Sequence, residues 1–424
     1  MQDRYGSALS TNSAAAADAF GEGLDLYLGA QTGVEDKLKQ AIAHDPNLAS
    51  AHIALARHYQ SFGRGAEIAA PLAAARAATG LSTQEQGQVH ALGLLLEGRG
   101  AEAFKAINAH LADYPRDALV SQPCMGVFGL IGFSGRAGRE AEMLAFTTSL
   151  ARHYGDDWWF LSAHAFAQME AGQTVQATET IEKSLAGNAQ SANGAHYRAH
   201  LYYEVGEAEA GYEYLTEWRR DYGRGGLLHC HTGWHIGLWA LARGDVDAMW
   251  RVVDADVAPG PESGPPLNVL TDMAAILYRA ELAGVEVAPE RWQRVSEYAS
   301  KFFPNPGLAF ADVHAALAHA MAGRGEALSK IVEGAVGLAG DVVRSLGGAF
   351  GALGAGRWAE AAAGLTTVMA DHERIGGSRA QRDLIEFALL SALLKQNKTE
   401  EARRLLAMRR PVATTPDMIA GLAA

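Results

Sequence analysis

Cysteine is nearly absent from these 424 residues, Cys124 and Cys230 being the only two. That excludes a disulfide framework and a CxxC zinc knuckle, and fits a reducing compartment. No apolar run approaches the roughly 18 residues of a membrane span. The opening Met1-Gln2-Asp3-Arg4-Tyr5 lacks the basic and apolar segments of a secretory signal. The expectation is a cytoplasmic protein with no membrane partner. Positive charge is also short, with 36 basic against 48 acidic residues for a net of −12. The excess is spread along the chain, which predicts a solvated outer surface and disfavours nucleic acid, whose phosphates need neutralising. Strand-like alternation is nearly missing. So are H-E-x-x-H, the G-x-S-x-G elbow, the phosphate loop and a dinucleotide fingerprint after a strand, which removes the familiar cofactor and hydrolase signatures.

What is present is a repeat. Helical runs are interrupted by turns centred on Gly63, Gly98, Gly135, Gly172, Gly206, Gly244, Gly284, Gly323 and Gly356, spaced by 35, 37, 37, 34, 38, 40, 39 and 33 residues, and Asn397 follows after 41. A period near 34 residues is that of tetratricopeptide-type helix pairs. Glycine takes the left-handed conformation that closes the first helix, and runs such as Ala359-Glu360-Ala361-Ala362-Ala363 restart helical propensity. The sequence therefore predicts an all-α protein, an α-solenoid superhelix of about ten tetratricopeptide-like pairs, as a single domain over 1–424. The Pro/Gly-rich interval 258–266 is expected to be a loop between pairs, because the repeat resumes at once. A hydrophobic content of 49% supplies the core.

Some residues exceed what packing needs. His196 with His200, and His231 with His235, stand at i, i+4, so each pair shares a helix face. His200, His231 and His235 are candidate metal ligands, although no full ligand motif accompanies them and the cofactor stays open. The segment Gly376-Gly377-Ser378-Arg379-Ala380-Gln381-Arg382-Asp383 reads as a helix stop followed by a Ser378/Gln381 capping box. Its Arg382 is also placed to clamp an anion near a helix N-terminus. Trp234, beside His235, is the aromatic residue expected near a ligand.

Nearly the whole chain resembles the tetratricopeptide repeat protein 38 family. The resemblance is carried most specifically by His231-x-x-Trp234-His235 and Gly376-Gly377-Ser378-x-Ala380-Gln381-Arg382-Asp383. It begins at the Leu9-Ser10-Thr11-Asn12-Ser13 opening, and weaker matches are Asp45-Pro46-Asn47 with Ala51-His52, Gln88-Val89-His90, Ala199-His200, Asp272 with Leu277-Tyr278-Arg279, and Asp312-x-His314. The resemblance implies a helix-pair fold and a common interior site, with no reaction attached. The chain departs from the pattern at Tyr203, where Glu is expected, and at Arg379, where His is expected.

Two classes of function follow. The first is a small-molecule-binding protein or enzyme, acid–base or metal-assisted, whose superhelix encloses a His/Asp/Arg-lined pocket. Proton transfer falls to His231 or His235, with Asp383 or Asp272 orienting an imidazole. His90, His200, Trp234, Asp272, His314, Gln381 and Arg382 bind an anionic or aromatic small molecule. The second is a protein-interaction scaffold taking a peptide in its concave groove. Homo-oligomers are left open by both.

Overall fold

The computed structural model describes residues 1–260, 263–408 and 420, so Pro261 and Glu262 of the expected loop, and most of the stretch after Met408, lie outside the described residues. Among those described there are 22 α-helices and no named β-strand. They gather into two compact units: Met1–Ile131, Ala141–Tyr197 and Gly225–Leu228 form the first, and Gly132–Glu140, Arg198–Arg224 and His229–Ala424 the second. The sequence reading expects one domain. In a stack of helix pairs each pair packs mainly on its neighbours, so such a chain can gather into more than one compact body along its length.

The first unit carries the pairs α1 (Ala14–Leu28) with α2 (Val34–His44), α3 (Ala49–Ser61) with α4 (Ala69–Ala77), and α5 (Thr83–Leu96) with α6 (Gly100–Asp113). There follow a short α7 (Ala118–Ser121), α8 (Arg139–Tyr154), which begins among residues of the second unit, and the pair α9 (Trp158–Glu170) with α10 (Thr174–Gly187). Helix α11 (Ala192–Val205) starts in the first unit and ends in the second, where α12 (Ala208–Trp218) pairs with it. The second unit continues with α13 (His229–Ala242) and α14 (Val246–Val252), α15 (Pro266–Leu282) and α16 (Pro289–Phe302), and α17 (Ala309–Met321) and α18 (Gly325–Gly334). It ends with α19 (Gly340–Gly354) and α20 (Trp358–Val368), then α21 (Arg379–Leu394) and α22 (Thr399–Met408). This is the α-solenoid class.

All nine turn glycines have φ between +67° and +83°, and Asn397 has +60°. At nine of the ten turns the amide after the left-handed residue donates back to the carbonyl five residues earlier, as Arg64 N does to Tyr59 O (2.9 Å) and Val285 N to Ala280 O (2.9 Å). These are Schellman closures. Gly135 differs. The segment before it is no long helix but α7 and a 3₁₀ turn at Gln122–Cys124. Pro123 has no N–H to continue a helix, and Gly126 and Gly129 follow it. One pair also escapes the glycine signature: α1 and α2 precede the first turn, and the left-handed residue that closes α1 is Ala30, at φ +53°.

The second unit shows how the pairs divide their labour. Every residue of α13 from Cys230 to Leu241 is buried, whereas α16 buries Trp292, Val295, Ser296 and Ala299, an i, i+3, i+4, i+7 stripe. First helices are therefore inner and second helices outer. Inner helices meet in the series α13 with α15, α15 with α17 and α17 with α19, and α15 also meets α21. Aliphatic side chains such as Leu270, Ile276 and Leu277 are fully buried there, each contributing roughly 1.5–3 kcal/mol. That apolar stack fixes the helix faces carrying the polar residues described next.

Candidate functional site

Helix α13 places His231 and His235 one turn apart, and α11 brings His200 against them. All three are buried, and each offers a ring nitrogen within 4.8 Å of the others'. His235 stands edge-on to His200 (ring centroids 4.5 Å, 80°) and to His231 (5.0 Å, 76°). Trp234 stacks on His231 at 5.1 Å and 12°. His196 lies one turn before His200 on the same continuous helix.

Asp272, on α15, holds the group from behind. His231 Nδ1 donates to its two carboxylate oxygens at 2.8 and 3.0 Å. This bond fixes the ring tautomer, with the proton on Nδ1. Burial raises the Asp272 carboxyl above its ordinary range, with His231 and Gln381 opposing the rise. Burial, and then the neighbouring His231, push His200 well below the ordinary imidazole value, so it is neutral at pH 7. The Cys230 thiol, also raised by burial, contacts Asp272 Oδ2 at 4.0 Å.

A second group joins α11, α15 and α21. The Tyr203 hydroxyl donates to Asp383 Oδ2 (2.6 Å) and accepts from Arg279 Nη1 (3.3 Å), while Arg279 Nη2 donates to Ala380 O (2.6 Å). Arg279 also lies 4.8 Å from the Phe387 ring centroid. Arg382 pairs with Glu140. Arg139, next to Glu140, donates to Glu373 O (2.6 Å) and Gly377 O (2.5 Å), gripping the Gly376-Gly377 turn. That turn needs glycine: Gly377 has φ +75°, and a Cβ there would lie 2.3 Å from Phe310.

The structure thus brings together His200, His231, Trp234, His235 and Asp272, and separately joins Asp383 to Tyr203 and Arg279. Other expectations are corrected. Asp383, expected to orient an imidazole, accepts from the Tyr203 hydroxyl. Gln381 completes the capping box, its side chain accepting from Ser378 N (3.0 Å) and Ser378 Oγ accepting from Gln381 N (3.3 Å). Arg382 is engaged by a carboxylate of the chain itself instead of standing open as an anion clamp. His314 is buried on α17, where Nδ1 donates to Phe310 O (2.7 Å), and it is not one of the converging imidazoles. His90 is exposed on α5 in the first unit. Nearby in sequence, His52 bonds Pro46 O (2.9 Å), which gives that part of the resemblance a local structural role.

Sequence reading did not select Tyr203, Arg279, Arg139 or Glu140. The departure at Tyr203 was the available signal, and the other departure, Arg379, forms an ion pair with Glu204 (3.9 Å) on the same pair of helices. Arg139 and Glu140 carried no signal.

The chain is built of tetratricopeptide-like helix pairs. No family model matches it. Among solved structures it is similar to human IFIT1 in a dimer with m7Gppp-AAAA, at 15% identity over 96% of this chain and 92% of that one, with a TM-score of 0.43. It is similar to yeast Tom70 at 12% identity over 95% and 86%, TM-score 0.38, and to the P58(IPK) TPR domain at 13% over 92% and 98%, TM-score 0.22. Likeness at these scores carries no argument about activity, and the architecture rests on the closures and packing of the chain itself. No helix among the described residues is long and apolar enough to cross a membrane.

Proposed function

We propose that this chain is a binding scaffold of tetratricopeptide-like helix pairs, and that the specific element of the scaffold is the polar interior of its second unit, which holds a small molecule. The observation that carries this reading is the convergence of His200, His231 and His235, from two helices, with Asp272 fixing His231 from a third. Burying polar groups costs free energy that packing alone does not return. Two further buried atoms support a ligand: Trp234 Nε1 and His314 Nε2 have no hydrogen-bond partner among the described residues, a state that costs about 1–3 kcal/mol each and that a ligand's polar atoms would relieve. Membership of the tetratricopeptide repeat protein 38 family is part of this proposal, supported by the His231-x-x-Trp234-His235 segment lying in the imidazole group.

Native mass spectrometry of the purified chain, followed by thermal-shift screening with small carboxylates and aromatic compounds, tests it. A binder present at a hundred times its dissociation constant stabilises the fold by about 2.7 kcal/mol, and His235→Ala removes that gain. Absence of any co-purifying or stabilising small molecule sinks the reading. Val336 and Leu338, 62% and 63% exposed on either side of Gly337 between α18 and α19, favour a second reading, a protein-interaction scaffold. There, Val336→Ser with Leu338→Ser abolishes capture of a partner while His235→Ala does not.

A further inference from the structure

The clusters of the second unit differ in what they leave for a ligand. Asp256 is surrounded by Arg219 (2.8 Å), Arg224 (2.9 Å) and His229 (3.4 Å), so cationic groups of the chain already neutralise it and no cation site remains. Asp383 and Arg382 are engaged by Tyr203 and Glu140. The imidazole group has a different donor set: histidine rings brought together from two helices, with the Asp272 carboxylate behind one of them.

Resting on the small-molecule reading, we infer that His200, His231 and His235 hold a divalent transition-metal ion, zinc by the chemistry of the donors. Metal–nitrogen bonds of about 2.0–2.1 Å in tetrahedral array need nitrogens roughly 3.3 Å apart. The three ring nitrogens already lie within 4.8 Å, so modest turns of the rings about their χ angles close the set. The edge-on stance of His235 to both partners lets ring edges, not faces, converge. Asp272 on His231 Nδ1 reproduces the carboxylate–histidine–metal relay that fixes a ligand's tautomer and raises its basicity. Imidazole nitrogens suit zinc, copper and nickel over magnesium or calcium.

The test uses the full chain, stripped with a chelator and titrated with Co(II) as the optical probe and then Zn(II), with elemental analysis of the reloaded protein. The expected result is one equivalent per chain, with visible d–d bands of nitrogen-ligated Co(II) and no thiolate charge-transfer band. His231→Ala and His235→Ala abolish uptake, and Asp272→Asn weakens it 10–100-fold. His319→Gln, which alters another buried imidazole of the unit, bonded to Ser296 (2.7 Å), leaves it unchanged. Where an alanine variant does not give a native circular dichroism spectrum, the Asp272→Asn titration and the wild-type Co(II) spectrum decide. Failure of the stripped wild-type chain to take up Co(II) or Zn(II), or unchanged affinity in Asp272→Asn, overturns the inference. Small-molecule binding that persists in the stripped chain removes the metal and leaves the binding reading; stoichiometric metal with no small-molecule binding does the reverse.

Discussion

Each unit contains a buried His–Asp pair, and the two pairs have different fates. In the first unit His110 Nε2 donates to Asp117 Oδ2 (2.9 Å), but the same carboxylate also caps α7 through Val120 N (3.1 Å) and accepts from Gln88 Nε2 (3.3 Å). Asp117 is a staple for α5, α6 and α7, with its lone pairs committed to structure. In the second unit Asp272 braces His231, which stands among further imidazoles. The difference teaches that a His–Asp pair is no site by itself. What surrounds the imidazole decides whether the pair holds the fold or presents a ring nitrogen.

Substitutions can sharpen or break this contrast. The largest effect is expected at turns: Gly377→Ala, at φ +75° and 2.3 Å from Phe310, should cost about 4 kcal/mol through strain and overpacking. Gly172→Ala, at φ +83° with open space around it, should cost about 1 kcal/mol. Urea unfolding read by peptide-resolved hydrogen exchange measures both, and equal losses would show that the grip on Gly376-Gly377 adds nothing. Next, Asp117→Ala should destabilise the first unit by about 3 kcal/mol, from a lost cap and orphaned donors, while Co(II) uptake stays at the wild-type level. Reduced uptake in that variant would undo the assignment of separate roles.

Acidification should separate the units more gently. Burial depresses His58 to about 4 and lowers His164 in the first unit; in the second it depresses His314 and His319 to about 4, and lowers His200 and His372. The stability these neutral rings contribute is complete above the ordinary 6.5 and drains away as the pH falls toward their folded values. Carboxyls raised by burial, Asp3 and Asp25 in the first unit and Asp272, Glu281 and Asp312 in the second, work in the opposite direction. With four such imidazoles against two, the second unit should lose about 1–2 kcal/mol more than the first between pH 7 and 5. Hydrogen exchange at the two pH values checks this, and greater loosening of the first unit would contradict it. The smallest contrast is Tyr203→Phe, expected to cost about 2 kcal/mol because a hydrogen bond to a buried carboxylate is lost, against about 1 kcal/mol for Tyr154→Phe, whose hydroxyl meets only Ser121 (3.2 Å) among its described hydrogen bonds. Chemical denaturation resolves the two.

The fold was legible where one backbone conformation demands one residue type. A left-handed closure selects glycine or asparagine, so nine closures could be read in advance. The α1–α2 turn was not, because Ala30 takes that conformation without advertising it, and the Gly135 turn was misread because Pro123 and the glycines after it end the preceding helix early. In the site, His231 and His235 were legible because i, i+4 spacing acts within one helix, and the Ser378/Gln381 cap for the same reason. The partners were not. Tyr203 with Asp383, Arg139 with Gly377 and Arg382 with Glu140 are 180, 238 and 242 residues apart, and no local pattern encodes which inner helices meet. Asp383 was accordingly paired in advance with an imidazole instead of a phenol.

The grip of Arg139 on Glu373 O and Gly377 O also has a consequence in time. A repeat protein can form each pair as it leaves the ribosome, but this contact spans 234 to 238 residues. At roughly 5–20 residues synthesised per second, Arg139 emerges about 10–50 s before the carbonyls that will receive it. Through that interval its guanidinium stays hydrated, and the second unit closes over it only when α21 arrives.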